Sequence, residues 1–334
     1  MFVLRHLSNK PHIMSKFGSL FQRSLASPTL SEEDISTLKN FSNLTDDDIR
    51  LSSMCLQSFF KPNIRKYLSK FDPDTNILWI NKDKTIIISE NKTHVCISYR
   101  GTFSMNDVKD DLRYNPVPFQ NGFVHEGFFE RSMSTNFSCL PNMKDKNDSR
   151  VLLLCGHSLG GAAAQITYIL LRQMYPTKVI RLFTTGTPFC FTGNIDYSIF
   201  ISRDMMNIIY HNDPIPFITN YEPYLTKLYK TSNDYKSLVS LFLSENAYGN
   251  VNRYLTGLCS QYEERLKTEF LYQPFGNYYY IHKNKRVSCV SSERLYQFML
   301  EYKHKSSFLK HIIWNYVLLL RKMTVDTAID NDFS

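Results

Sequence analysis

Long apolar runs are missing from this 334-residue chain. Nothing approaches the ~18 consecutive apolar residues that a membrane span requires, and no apolar segment of signal-peptide length follows the first methionine. A transmembrane helix and a secretory leader are therefore not expected. Cysteine is sparse and scattered: the seven residues, at 55, 96, 139, 155, 190, 259 and 289, never adopt C-x-x-C spacing. That pattern argues against a zinc ribbon and against a disulfide scaffold, and it suits a reducing, intracellular compartment. No stretch interleaves arginines with aromatic residues, so nucleic acid is not an expected partner. Glycine is scarce too, with 12 residues in all. A cluster of glycines at fixed spacing then carries more information than it would in a glycine-rich chain.

What the chain does have is a hydrophobic content of 43%, enough to bury a full core, and a net charge of +8 from 39 basic and 31 acidic side chains. A moderate positive excess favours anionic surfaces such as lipid head groups. The first thirty residues carry Arg5, Lys10, Lys16 and Arg23 without an acid, and place Phe17, Leu20, Phe21 and Leu25 on one helical face. Such an arm resembles a targeting segment or a surface-seeking helix, and it equally suits a flexible arm or one docked on the core. Membrane contact is expected to be peripheral, at a bilayer or lipid-droplet surface.

Further along, Thr45 followed by Asp46, Asp47 and Asp48 predicts a helix start, with acids at the positive end of the helix dipole. The region 31–75 reads as a helical segment packed on the core. From Asn76 the runs "NILWIN", "TIIISE" and "HVCISYR" predict an antiparallel meander. Thereafter apolar strands alternate with helical stretches: "RVLLLCG", "AAAQITYILLRQMY", "KVIRLFTTG" and "MMNIIYH". Strands apolar on both faces and separated by helices imply a mostly parallel sheet covered on both sides, hence an α/β core. Residues from about 221 to 273 are polar, aromatic and patchily helical, and read as a cap insertion.

The most specific feature is Gly156-His157-Ser158-Leu159-Gly160, directly after one predicted strand and directly before a helix. A serine framed by glycines in that context is a nucleophile elbow: the turn is too tight for Cβ atoms two residues either side, and it projects the hydroxyl from the strand's carboxyl end. A serine hydroxyl is a weak nucleophile alone, so an acid and a histidine must follow it in the chain. Asp213, in "HNDPIPF", stands just past a strand in a turn braced by Pro214 and Pro216. For the base, His211, His282, His304 and His311 all satisfy the chain order. His211 is too close to Asp213 to bridge it to Ser158, while His311 begins a last amphipathic segment.

Taken in order, "YRGT", "HEGFF", "GHSLGGA", "TTGTPF", "HNDPIP", "PFGNYYYI" and "HIIWNYVLLL" resemble the class 3 lipases, the fungal triacylglycerol lipase and plant phospholipase A1-like family, over about residues 76–320. The resemblance implies an α/β-hydrolase fold over 76–334 and hydrolysis of lipid acyl esters through an acyl-enzyme, with no metal or organic cofactor. It implies Ser158 as nucleophile and Asp213 as acid. It implies His311 as base, since plant-type members carry that histidine five residues before a tyrosine, as His311 stands before Tyr316. Thr102 of "YRGT" corresponds to the family's oxyanion residue, whose N–H joins that of Leu159. The segment after Thr102, "FSMNDVKDDL", lacks the tryptophan often found there. From another functional class comes the alternative of a catalytically silent relative serving as a lipid-sensing or protein-interaction scaffold.

Overall fold

The computed structural model describes residues 42–102, 115–141, 145, 148–193, 202–210, 213, 215–220, 272–282, 287–290, 295 and 316, all within one compact unit of the chain. Two helices lead, α1 (Asp46–Ser58) and α2 (Ile64–Phe71). The meander follows as β1 (Asn76–Ile80), β2 (Ile86–Glu90) and β3 (His94–Tyr99), paired antiparallel. Then come β4 (Pro116–Phe119), β5 (Gly122–His125), α3 (Glu126–Met133), β6 (Val151–His157), α4 (Leu159–Met174), β7 (Ile180–Thr185), β8 (Phe191–Gly193), β9 (Met205–Tyr210), β10 (Tyr278–Ile281) and β11 (Val287–Val290). Among the described residues the large sheet has eight strands in the order β1-β2-β3-β6-β7-β9-β10-β11. Its central run from β3 to β10 is parallel, and both margins are antiparallel. This is an α/β-hydrolase sheet.

The period of two along each strand divides the core between the faces. Cys96, Leu153, Cys155 and Phe183 bury on the side of α1 and α2, against Leu51, Cys55 and Leu68. Val95, Ile97, Leu152 and Leu154 bury on the other side, against Ala163, Ile166 and the rest of α4. Each valine, leucine, isoleucine or phenylalanine among them contributes about 1.5–3 kcal/mol by leaving water. With two covered faces, the polar chemistry of this sheet is left to the ends of its strands.

The acidic start of α1 has a second use. Thr45 and Asp48 form a reciprocal capping box, and the fully buried Asp48 carboxylate also receives His94 Nε2 at 3.0 Å and Arg181 Nη1 at 2.5 Å. Burial alone pushes this carboxyl up, but hydrogen bonds from His94 and Thr45, with the nearby guanidinium, outweigh it and hold Asp48 below its ordinary range. The cluster joins α1 to β3 and β7.

A smaller antiparallel sheet, β4-β5-β8, was not anticipated from the sequence. The basic arm 1–30, residues 221–271 of the cap expected at about 221–273, the segment "FSMNDVKDDL" and His311 lie outside the described residues.

Candidate active site

Strand β6 lies between β3 and β7, and its last residue, His157, pairs with Thr185. The chain then turns at Ser158, whose N–H donates to Thr185 O at 3.0 Å and whose backbone sits at φ 57°, ψ −132°. A non-glycine residue so placed costs on the order of 1–3 kcal/mol and is retained only where the surroundings fix it. The surroundings here are backbone. A Cβ on Gly156 would run into the carbonyl of Gly160, and one on Gly160 into the carbonyls of Tyr99 and Arg100. Helix α4 begins at once, at Leu159, so the first N–H groups of a 16-residue helix open beside the serine. Gly156→Ala is accordingly expected to lower stability by about 1–3 kcal/mol or more through overpacking. An unchanged thermal midpoint would show that the turn has more room than these contacts allow.

The "YRGT" segment leaves β3 alongside. Tyr99 is anchored by hydroxyl contacts to Thr135 Oγ1 at 2.6 Å and Thr167 Oγ1 at 2.7 Å, and burial pushes its phenol up to about 12. Two residues on, a Cβ at Gly101 would stand 2.7 Å from His157 O and 3.1 Å from Ser158 Cβ. The loop thus passes against the elbow, and Thr102, half-buried, follows directly. Ser158, Leu159 and Thr102 are gathered in one place by the adjacency of β3 and β6.

Asp213 reaches the same edge from β9. The pairs His157↔Thr185 and Thr185↔Ile208 bring the carboxyl ends of β6, β7 and β9 level. Past Tyr210 the chain turns, with Asp213 N–H donating to Tyr210 O at 2.9 Å, and the Asp213 carboxylate is buried. Its Oδ1 accepts from Ile215 N–H at 2.9 Å, and its Oδ2 from the hydroxyl of Tyr316. Two strand spacings separate β6 from β9, roughly 10 Å. An imidazole with a hydrogen bond at each end spans about 8 Å.

Of the histidines proposed from sequence, His211, His304 and His311 lie outside the described residues. His282 follows β10, with Nε2 2.9 Å from Ser288 Oγ and its ring against Tyr280 at 4.9 Å. Two neighbours of the elbow escaped the sequence reading. His157 holds Nδ1 3.1 Å from both Thr185 O and Thr185 Oγ1. Tyr316, fully buried, places its ring 5.5 Å from that of His157, accepts from Tyr210 N–H at 3.1 Å and donates to Asp213. The tyrosine served in the sequence only as a landmark for His311. Among the described residues no group of His, Cys, Asp and Glu side chains could hold a metal ion, and no helix is long and apolar enough to cross a membrane.

Comparison with known proteins bears on the fold and on part of the sequence. A 79-residue stretch is 33% identical to toxin TseL of Vibrio cholerae, covering 24% of this chain and 12% of the toxin. A 159-residue stretch is 28% identical to mouse diacylglycerol lipase-beta, covering 41% of this chain and 22% of that protein. The chain thus matches less than a quarter of the length of either relative. The fold is similar to that of a Rhizomucor miehei lipase in complex with its propeptide, at a TM-score of 0.50 and 15% identity over 87% of this chain and 81% of that one. The model of the class 3 lipases matches residues 96–222, from Cys96 in β3 through the elbow and Asp213.

Proposed function

We propose that this chain hydrolyses acyl esters of lipids through a Ser158–Asp213–His311 triad. The observation that carries the reading is Ser158 itself: a strained serine at φ 57°, held by backbone at the carboxyl end of a parallel strand and the mouth of a helix. Strain of this kind has no structural use that a glycine would not serve better. In the proposed reaction His311 takes the hydroxyl proton as Ser158 Oγ bonds to the ester carbonyl carbon. Asp213 steadies the imidazolium, and the N–H groups of Leu159 and Thr102 receive the oxyanion. Collapse expels the alcohol, protonated by His311, and leaves an acyl-serine. Water, deprotonated by the same histidine, then releases the fatty acid and restores Ser158.

A fluorophosphonate probe tests this directly. Covalent labelling that peptide mapping places on Ser158, and that prior heat denaturation abolishes, is the expected result. A folded protein whose Ser158 stays unlabelled would favour the silent scaffold instead. The likeness to a diacylglycerol lipase and the net charge of +8 together favour glycerolipid esters presented on an anionic surface. Each basic group near such a surface adds about 1 kcal/mol of attraction that salt screens. Initial rates are therefore expected to be higher on vesicles containing anionic phospholipid than on neutral ones, with the difference fading as ionic strength rises. Equal rates at low salt would remove the electrostatic preference.

A further inference from the structure

Tyr316 lies at the meeting of two strand ends, and its hydroxyl both accepts and donates there. It accepts the N–H of Tyr210, the last residue of β9, at 3.1 Å and donates its own proton to Asp213 Oδ2. The other carboxylate oxygen is held by Ile215 N–H at 2.9 Å. A carboxylate oxygen has two lone pairs, so both contacts leave capacity for an imidazole N–H. The ring packs against His157, immediately before Ser158, at 5.5 Å, and edge-on to Tyr210 at 6.4 Å. One side chain therefore touches both the strand end that carries the nucleophile and the turn that carries the acid.

We propose that Tyr316 is a positioning residue of the active site, whose hydroxyl orients the Asp213 carboxylate and tempers its negative charge. The inference rests on the triad reading above. Two effects follow from one hydrogen bond. Fixing Oδ2 leaves the carboxylate a single orientation in which to receive the base. Donating to it withdraws charge, so the imidazolium beside it is stabilised less and the base ionises at lower pH. Burial, and then the charge of Asp213, push the Tyr316 phenol well above its ordinary range, so the proton stays on the tyrosine and the contact keeps its direction. The titratable groups facing this pair among the described residues include His157, Tyr210 and Tyr280.

The test compares Tyr316→Phe, Asp213→Ala and a variant carrying 3-fluorotyrosine at 316, all assayed on p-nitrophenyl butyrate as kcat and KM against pH. Loss of the hydroxyl is expected to lower kcat by about tenfold or more with KM nearly unchanged, and to move the acid limb of kcat/KM to higher pH. The fluorinated phenol keeps the shape and is a stronger donor, so its acid limb is expected to move to lower pH. It also decides the matter should Tyr316→Phe fail to fold. A side chain with a merely structural part would lower the thermal midpoint and leave the limb where it was. If Asp213→Ala is inactive while the fluorinated variant's limb, and that of a folded Tyr316→Phe, stay within experimental error of wild type, the positioning role is overturned and the triad stands. If Asp213→Ala keeps full activity, the triad reading fails, and the inference with it.

Discussion

Ser158→Ala is expected to reduce ester hydrolysis by ~10⁴ to 10⁶ in turnover while leaving the protein folded. The two halves of that expectation rest on different observations. Activity should vanish because the hydroxyl is the only nucleophilic atom that the turn projects; the flanking positions are glycines, Leu159 and a histidine engaged with Thr185. Folding should survive because alanine keeps the Cβ, so the cost of φ 57° is unchanged and the backbone contacts of the turn, Ser158 N–H to Thr185 O and Gly161 N–H to Ser158 O, do not involve the side chain. Far-ultraviolet circular dichroism and the thermal midpoint, measured on the same preparation as the rate, separate the two. Turnover within tenfold of wild type in a folded variant would remove Ser158 from the reaction.

The elbow was legible in the sequence because its requirements are local. Five consecutive residues contain both glycines, and the buried strand and alanine-rich helix adjoin them. The same holds for the start of α1, where Thr45 and Asp48 stand three apart and cap each other, and for the Asp213 turn, closed within three residues by Tyr210 O. What escaped depends on partners distant in the chain. Strand β4 is the tetrapeptide Pro116–Phe119, an edge strand whose two prolines argue against a strand when read from sequence, and β5 is completed only by β8, some seventy residues later. Asp48 read as one of three acids at the positive end of the helix dipole, and nothing near it announced the buried contacts with His94 and Arg181. Tyr316 sits 103 residues from Asp213, and a tyrosine in an apolar helical pattern ordinarily signifies core. Period and spacing report which face a side chain takes, whereas a hydroxyl's partner across the sheet is fixed only by the topology.

His311→Ala should match Ser158→Ala in severity, and the double variant should be scarcely worse than either alone. A serine without its base is as inert as a base without its serine, so members of a triad act as one unit and their losses do not add. On the proposed mechanism, the residual rate in all three variants is set by what remains, the N–H groups of Leu159 and Thr102 and the binding of the substrate. His282→Ala is the informative companion. That histidine also follows Ser158 and Asp213 in the chain and stands at the end of β10, the neighbour of β9, so order and strand position alone do not separate it from His311. Its ring, however, is engaged by Ser288 Oγ on β11 and stacked edge-on against Tyr280, contacts that tie it to the antiparallel margin of the sheet rather than to the turn bearing Asp213. Its loss is therefore expected to cost less than tenfold in kcat/KM. Should His282→Ala be the inactive variant and His311→Ala an active one, the base belongs at the end of β10, and a carboxylate reaching from Asp213 would have to cross one more strand position than β9 requires.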